Sequence, residues 1–160
     1  MIRATSIIRH VNVDTDCIVD VITLDHGDRH RRRIVLNADG GTRFLLDLDK
    51  ADVLEDGDAI CLETGWLVEV KAACERLVEI KTDDPLELLT LAWHIGNRHV
   101  PAEITRDAIY IGYDHVLVDM LRGLRAQVDI VERPFRPVRG AYHHHGIHSE
   151  HHHHHGHTHG

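Results

Sequence analysis

Residues 84–99, DPLELLTLAWHIGNRH, contain the pattern that decides the fold of the second half of the chain. Asp84 precedes a proline and stands three residues before Glu87, which is typical of a helix N-cap with a first-turn proline and a capping-box acid. Apolar residues then recur at helical spacing, and Gly96-Asn97 is a typical helix stop. The stretch therefore predicts one helix from about Pro85 to Ile95.

Regular segments are expected on both sides of this helix. A strand precedes it over residues 76–81, and two short strands follow over residues 100–105 and 108–113. Asp114 then begins a second helix, in which Leu117, Met120, Leu121 and Leu124 share a face, and residues 127–132 form a last strand. The order strand, helix, strand, strand, helix, strand is that of the ferredoxin-like split βαβ. We therefore expect an α+β protein whose residues 74–142 form a ferredoxin-like βαββαβ domain.

The first part of the chain has a different pattern, with short period-two segments separated by turn residues. Phe44, Leu46 and Leu48 alternate with their neighbours as half-buried strand residues do, and so do Trp66, Val68 and Val70. No convincing helix occurs among these strands. Residues 1–73 are therefore predicted to form an N-terminal all-β domain, a small sandwich or barrel.

The chain ends in an unusual concentration of histidine. Seventeen histidines occur in 160 residues, and eleven of them lie in the last 18: His143, His144, His145, His148, His151, His152, His153, His154, His155, His157 and His159. Ile147 is the one apolar residue that this segment could bury, so residues 143–160 are expected to be disordered without metal. Neutral imidazole binds nickel, copper, zinc and cobalt, so the segment predicts a metal-binding tail. A purification tag is the alternative, but Gly, Ser and Thr interrupt the histidines, whereas tags are usually one block.

Composition and charge exclude several classes of function. The formal net charge is −8, which is a poor match for the phosphate backbone of nucleic acid, so no nucleic-acid partner is expected. No apolar run has the length of a signal peptide or a membrane span, so the protein is expected in the cytoplasm without a membrane partner. Cys17, Cys61 and Cys74 form no C-x-x-C unit and are expected to be reduced and mostly buried.

Six histidines lie in the body of the chain, and His99 is the most interesting because it follows the helix stop. One imidazole cannot hold a metal alone, so His99 would need tail histidines or its own copy across a two-fold axis. On spacing alone, a residue that hydrogen-bonds the helix terminus is the better interpretation. His10, His26 and His30 are interpreted as solvated turn histidines.

Catalytic motifs such as H-E-x-x-H, G-x-S-x-G or a phosphate loop are missing from the sequence, so no enzyme activity is predicted.

Several stretches together resemble one family, the UreE urease accessory proteins, which are nickel metallochaperones. The resemblance spans essentially the whole chain and rests on Ile95-Gly96-Asn97-Arg98-His99, Asp114-His115-Val116-Leu117, Pro134-Phe135 and Gly140-Ala141-Tyr142. It implies a first domain that binds peptide or a partner protein, a second domain that forms a homodimer, and Ni²⁺ bridged by His99 of two subunits. Tail histidines would complete or extend that site. The implied partners are the urease apo-enzyme and the other urease accessory proteins, including the GTPase accessory subunit.

Three hypotheses of function follow, and none is catalytic. In the first, the protein delivers Ni²⁺ to apo-urease during assembly of the urease metallocentre, although Zn²⁺ or Cu²⁺ could also bind in vitro. In the second, the tail only stores or buffers excess metal. In the third, the first domain is a peptide-binding chaperone for the apo-enzyme and metal is incidental. Deletion of the tail or of the first domain distinguishes these hypotheses.

Overall fold

The computed structural model describes residues 1–139 of the chain. The predicted histidine-rich tail, residues 143–160, and the end of the predicted second domain lie outside the described residues. Ten strands, two α-helices and two 3₁₀ helices make up the described part. Two sheets divide it into an N-terminal unit, which contains strands β1 to β6, and a C-terminal unit, which contains β7 to β10 and both α-helices.

The N-terminal unit is all-β, as the sequence predicts. Its strands are β1 (Ile2–Ile8), β2 (Ile18–Leu24), β3 (His30–Asn37), β4 (Arg43–Val53), β5 (Ala59–Leu62) and β6 (Leu67–Ala72). Short 3₁₀ helices at His10–Asn12 and Thr15–Cys17 connect β1 to β2. The strands form one six-stranded sheet in the order β2-β6-β5-β1-β4-β3, in which β1/β4 and β2/β6 are parallel and the other pairs are antiparallel.

The alternation seen in the sequence builds the core of this unit. Phe44, Leu46 and Leu48 on β4 are all buried, as predicted. The same prediction for Trp66 is wrong, because this side chain is 51% exposed while the next residue, Leu67, is buried. Trp66 belongs to the turn between β5 and β6, where its carbonyl oxygen accepts from the backbone N–H of Leu62 and Gly65 has a φ of +88°. The inward face of β6 therefore keeps the predicted alternation but begins at Val68, which is buried in the core with Val70.

The C-terminal unit has the predicted ferredoxin-like arrangement. Its elements are β7 (Cys74–Lys81), α1 (Pro85–Gly96), β8 (Ala102–Ile104), β9 (Ile109–Gly112), α2 (His115–Gly123) and β10 (Gln127–Pro134). The antiparallel sheet has the order β10-β7-β9-β8, which places the first and third strands of the unit at its centre. Both α-helices pack on one face of this sheet, over Val78, Ile80, Ile109 and Ile111. The predicted strand over residues 100–105 is shorter than expected, because only Ala102–Ile104 pairs with β9.

The helix caps form as the sequence indicates. The Asp84 carboxylate accepts from the backbone N–H of Leu86, and the Asp114 carboxylate accepts from those of Val116 and Leu117. These contacts satisfy donors that every helix N-terminus leaves without intrahelical partners. Leu124 is the exception on the predicted apolar face of α2, because it forms the C-cap and is 43% exposed.

The cysteine prediction is wrong in one respect. Cys17 and Cys61 are half-buried and Cys74 is exposed, so none of the three is a core residue. All three are free thiols, as expected. Cys17 lies beside Asp14 at the end of a 3₁₀ helix, with its Sγ 3.6 Å from the Asp14 carboxylate, and Cys74 begins β7 at the junction of the two units.

After β10 the chain crosses the face of the C-terminal sheet that is opposite the α-helices. We call this segment, residues 135–139, the C-terminal strap. Phe135 is buried there with Leu77, Ala108 and Tyr110, on the face opposite the helices. The backbone N–H of Arg136 then donates to Oε1 of Glu103 at 2.7 Å, and that of Val138 donates to the carbonyl oxygen of Ala102 at 2.7 Å. The strap thus carries the chain from β10, at one edge of the sheet, to β8, at the other.

Candidate metal centre

His99 lies just beyond the end of α1 in an unusual backbone conformation. Asn97 forms the C-cap, and the backbone N–H of His99 donates to the carbonyl oxygen of Gly96 at 3.2 Å. The φ of His99 is +55°, so its backbone is in the left-handed region that residues other than glycine rarely adopt. Pro101 favours an extended Val100, so the chain turns away from the helix axis after His99. His99 is exposed to solvent.

A cavity of about 590 Å³ lies between the two units, and His99 forms part of its wall. His26 and His30 of the N-terminal unit line the same cavity. The sequence around these two residues indicates only solvated turn histidines, and no local pattern relates them to His99. The contact between the units brings the three imidazoles to one cavity, although His26 and His30 are far from His99 in the sequence.

His26 is fixed by the C-terminal unit. Its Nδ1 lies 2.7 Å from Oε1 of Glu75, its backbone N–H donates to Oε2 of the same carboxylate, and its ring contacts Phe135 edge-on at 4.9 Å between centroids. A carboxylate on one ring nitrogen leaves the other nitrogen as the free coordination position, an arrangement common among metal-ligating histidines.

The strap brings the end of the described chain to the same cavity. Pro137, Val138 and Arg139 line it together with His99. The described part of the chain therefore ends at the cavity that contains His99, and in the sequence His143 is four residues after Arg139. The predicted tail ligands, His143 to His159, are outside the described residues and remain predictions.

The body residues do not enclose a metal ion by themselves. Within residues 1–139, no three His, Cys, Asp or Glu side chains are placed so that they could hold a metal together. The other body histidines lie elsewhere: His10 and His115 are exposed, and His94 is half-buried beside Trp93. A metal at His99 would therefore need ligands from the tail or from a second subunit.

Tyr110 and Glu79 form a pair with shifted pKa values on the face of the C-terminal sheet opposite the two α-helices. The Tyr110 hydroxyl donates to the Glu79 carboxylate at 2.9 Å, and this hydrogen bond lowers the pKa of Glu79. Burial, followed by the same contact, raises the pKa of Tyr110, over whose ring the Arg133 guanidinium lies at 3.9 Å. This pair stabilises the sheet and adds no acid or base to the cavity.

Both units match one family. The pattern of "UreE urease accessory protein, N-terminal domain" matches residues 4–73, and that of the "C-terminal domain" matches residues 75–160. The chain belongs to the UreE family of urease accessory proteins. The resemblance found in the Gly-Asn-Arg-His and Asp-His-Val-Leu motifs is thereby confirmed.

Relatives within the UreE family match along most of their length. The Urease accessory protein UreE of Azorhizobium caulinodans is 63% identical over 142 residues, which cover 89% of this chain and 68% of the relative. That of Chelativorans sp. is 51% identical over 159 residues, which cover 99% and 98%. That of Agrobacterium fabrum is 50% identical over 128 residues, which cover 80% of each chain. In the described part of this UreE chain, no helix is both long and apolar enough to cross a lipid bilayer.

Proposed function

We propose that this UreE-family chain binds Ni²⁺ and delivers it to the urease apo-enzyme during assembly of the urease metallocentre. The observation that carries the proposal is that His99 and the last described residue, Arg139, line one cavity. In the sequence the eleven-histidine tail begins four residues after Arg139, and the resemblance implies that His99 is the nickel ligand. The role is that of a carrier, with no catalytic step of its own.

The chemistry of these ligands suits a carrier. Imidazole is a borderline donor that binds Ni²⁺ well and also accepts Zn²⁺ or Cu²⁺ in vitro. An exposed histidine and a histidine-rich segment offer open coordination positions, whereas a closed four-thiolate site would retain its metal. Protonation of the imidazoles in acid removes their lone pairs, so we expect the nickel to be released as the pH falls below about 6.5, the ordinary histidine pKa.

A homodimer is part of the proposal, and α1 supplies the surface for it. Leu86, Leu89 and Trp93 follow one another at helical spacing on this helix and are 68%, 69% and 64% exposed. Large apolar side chains that form a stripe on a surface mark an interaction site. Two copies that pair through this stripe about a two-fold axis parallel to the helices would place both His99 residues, just beyond the helix ends, at the same end of the dimer. Such a site would supply two imidazoles to one Ni²⁺.

The names of the relatives, each a urease accessory protein, support partners that take part in urease assembly. We propose that this chain meets the urease apo-enzyme and the other accessory proteins, including the GTPase subunit, during nickel transfer. The N-terminal unit, with its separate sheet and core, is then available for protein contacts.

The test uses the full-length chain with its eleven tail histidines changed to asparagine, so that only the body can bind nickel. Equilibrium dialysis is expected to give one Ni²⁺ per two chains, and His99→Asn is expected to abolish this binding. Asparagine is chosen because it tolerates the left-handed conformation of residue 99. His115→Asn is the matched control, since His115 is exposed and lies outside the cavity lining. Unchanged nickel binding in His99→Asn would overturn the assignment of His99.

Urease activation in cells separates delivery from the other hypotheses. With limiting nickel, His99→Asn in the otherwise natural chain is expected to lower urease activity, and excess nickel is expected to restore it. Full activity in this variant, with metal tolerance lost only on removal of the tail, would favour buffering. Lost activation on deletion of the first 73 residues, with all nickel variants active, would favour the peptide-binding hypothesis.

A further inference from the structure

Arg29 is a buried cation without an acidic partner in the described structure. The residue is 2% exposed, and its Nη2 donates to the carbonyl oxygen of Phe135 in the C-terminal strap. Its Nε is buried and has no hydrogen-bond partner. Among residues 1–139, no carboxylate forms an ion pair with this guanidinium, whereas Arg133 and Arg136 contact Glu103 and Glu55.

A buried arginine such as Arg29 is more stable with an anion bound to it. Burial of a charge is unfavourable unless a counter-charge and hydrogen bonds compensate it, and a buried polar atom without a partner is a common sign of a missing ligand. The carbonyl oxygen of Phe135 provides only part of that compensation, since it is neutral and occupies one donor of the five that a guanidinium carries.

The surroundings of Arg29 favour an anion as well. Arg29 lines the interdomain cavity, and Arg139 and three histidines line it too. Glu55 is the acidic residue of the lining, and its carboxylate is already bound by Nε of Arg136 at 3.1 Å. Arg139 has a distant partner, Asp52, with 3.9 Å between the charged atoms, and keeps a partly exposed side chain. The charged residues of the lining are therefore two arginines and one carboxylate, and the buried Nε of Arg29 has no acceptor.

We propose that the interdomain cavity binds a carboxylate group, held by the Arg29 guanidinium. A planar carboxylate matches the planar fork of donors on a guanidinium, and its single negative charge balances one buried arginine. The cavity, at about 590 Å³, has ample room for such a group. A further consequence rests on the proposed nickel function: a carboxylate here would share the cavity with His99, where its oxygen could become an additional ligand of the metal.

The carboxylate has two possible sources with the same chemistry. One is a small free carboxylate from solution, and the other is a carboxylate of this chain beyond Arg139, namely that of Glu150.

The experiment follows the Arg29 Nε–H signal by nitrogen-15 NMR in the metal-free, full-length protein. Sodium acetate is expected to shift this signal in a saturable way, while sodium chloride at the same ionic strength does not. The Nε–H of Arg32, which is exposed and does not line the cavity, is the internal control and is expected to stay unchanged. Arg29→Gln is expected to remove the saturable acetate effect on the ring signals of His26 and His99.

Each other outcome has a definite meaning. If the Arg29 signal moves on Glu150→Gln, and acetate then restores its position, Glu150 is the source and carboxylate binding is supported. No saturable shift with acetate in either the natural chain or Glu150→Gln, an equal shift with chloride, or a shift with phosphate but not acetate would overturn the proposal. Because the samples contain no nickel, such a failure leaves the proposed nickel function untouched, and that function can fail while acetate still binds.

Discussion

His26 and Glu75 join the two units through a double contact in which one carboxylate binds both the ring and the backbone of one residue. Nδ1 of His26 lies 2.7 Å from Oε1 of Glu75, and the backbone N–H donates to Oε2 at 3.1 Å. Phe135 packs against the same ring, and Arg29 binds the Phe135 carbonyl oxygen. The wall of the cavity that holds His99 is therefore fixed by contacts between the N-terminal unit, β7 and the strap.

Removal of the Glu75 carboxylate is expected to loosen this junction. Glu75→Ala leaves a half-buried backbone N–H and a ring nitrogen without their acceptor, which should lower the free energy of unfolding by about 1–3 kcal/mol. Urea denaturation measures the change. Glu132→Ala is the matched control, because Glu132 is an exposed acid on β10, and we expect it to stay within about 0.5 kcal/mol of the natural chain. Equal stability of the two variants would show that the contact contributes nothing.

The apolar stripe on α1 gives a prediction about assembly. Leu89→Glu and Trp93→Glu are each expected to convert a dimer into monomers, because burial of a large apolar side chain contributes about 1.5–3 kcal/mol and its loss raises the Kd at least tenfold. Sedimentation equilibrium of the metal-free protein measures this. Val11→Glu, at an exposed apolar residue of the first 3₁₀ helix, should leave the dimer intact. A monomeric natural chain, or dimers in both α1 variants, would contradict the predicted interface.

The sequence predicts most of the C-terminal unit because its signals are local. Asp84 and Asp114 mark helix starts through hydrogen bonds to backbone groups two or three residues away, so their spacing alone reveals the caps. The order of elements then leaves few arrangements, and the observed sheet is the ferredoxin-like one. The predicted end of the last strand is two residues early, because β10 extends to Pro134. β10 is an edge strand, and such a strand tolerates a proline because the N–H groups on its outer side form no hydrogen bond within the sheet.

The candidate site is less predictable because it depends on contacts between distant residues. The motif around His99 indicates a metal ligand only through the family resemblance, since spacing alone favours a helix-terminal role. His26, Arg29 and His30 give no local signal, because only the junction between the units brings them to the cavity of His99. The path of the strap likewise depends on Phe135, whose burial under the sheet no periodicity reveals.

Asp20 gives a prediction about acid stability. Hydrogen bonds from Thr42, first from its side chain and then from its backbone N–H, together with the backbone N–H groups of Val21 and Gly40, lower the pKa of Asp20 from 3.8 to about 2. A pKa lowered by folding adds stability above the unfolded-state value, and this stability is lost as the pH falls from about 5 towards 2. Asp20→Asn should therefore reduce the free energy of unfolding by about 1–3 kcal/mol at pH 7 and by less at pH 3.

Denaturation curves at both pH values measure this difference. Asp49→Asn is the control, because Asp49 is an exposed acid on β4, and its effect should be small and independent of pH. A loss of stability in Asp20→Asn that is the same at pH 7 and pH 3 would mean that the charge of Asp20 does not contribute.

The left-handed backbone of His99 separates its structural role from its role as a ligand. With φ at +55°, a β-branched residue is strained here, so His99→Val should lower the free energy of unfolding by about 1–2 kcal/mol, whereas His99→Gly should change it by less than about 1 kcal/mol. Both variants lack the imidazole, so both should lose nickel binding by the body. At His115, in the first turn of α2, glycine should instead destabilise by about 1 kcal/mol and leave nickel binding intact. If His99→Gly kept its nickel, the helix-terminal interpretation of His99 would be the correct one.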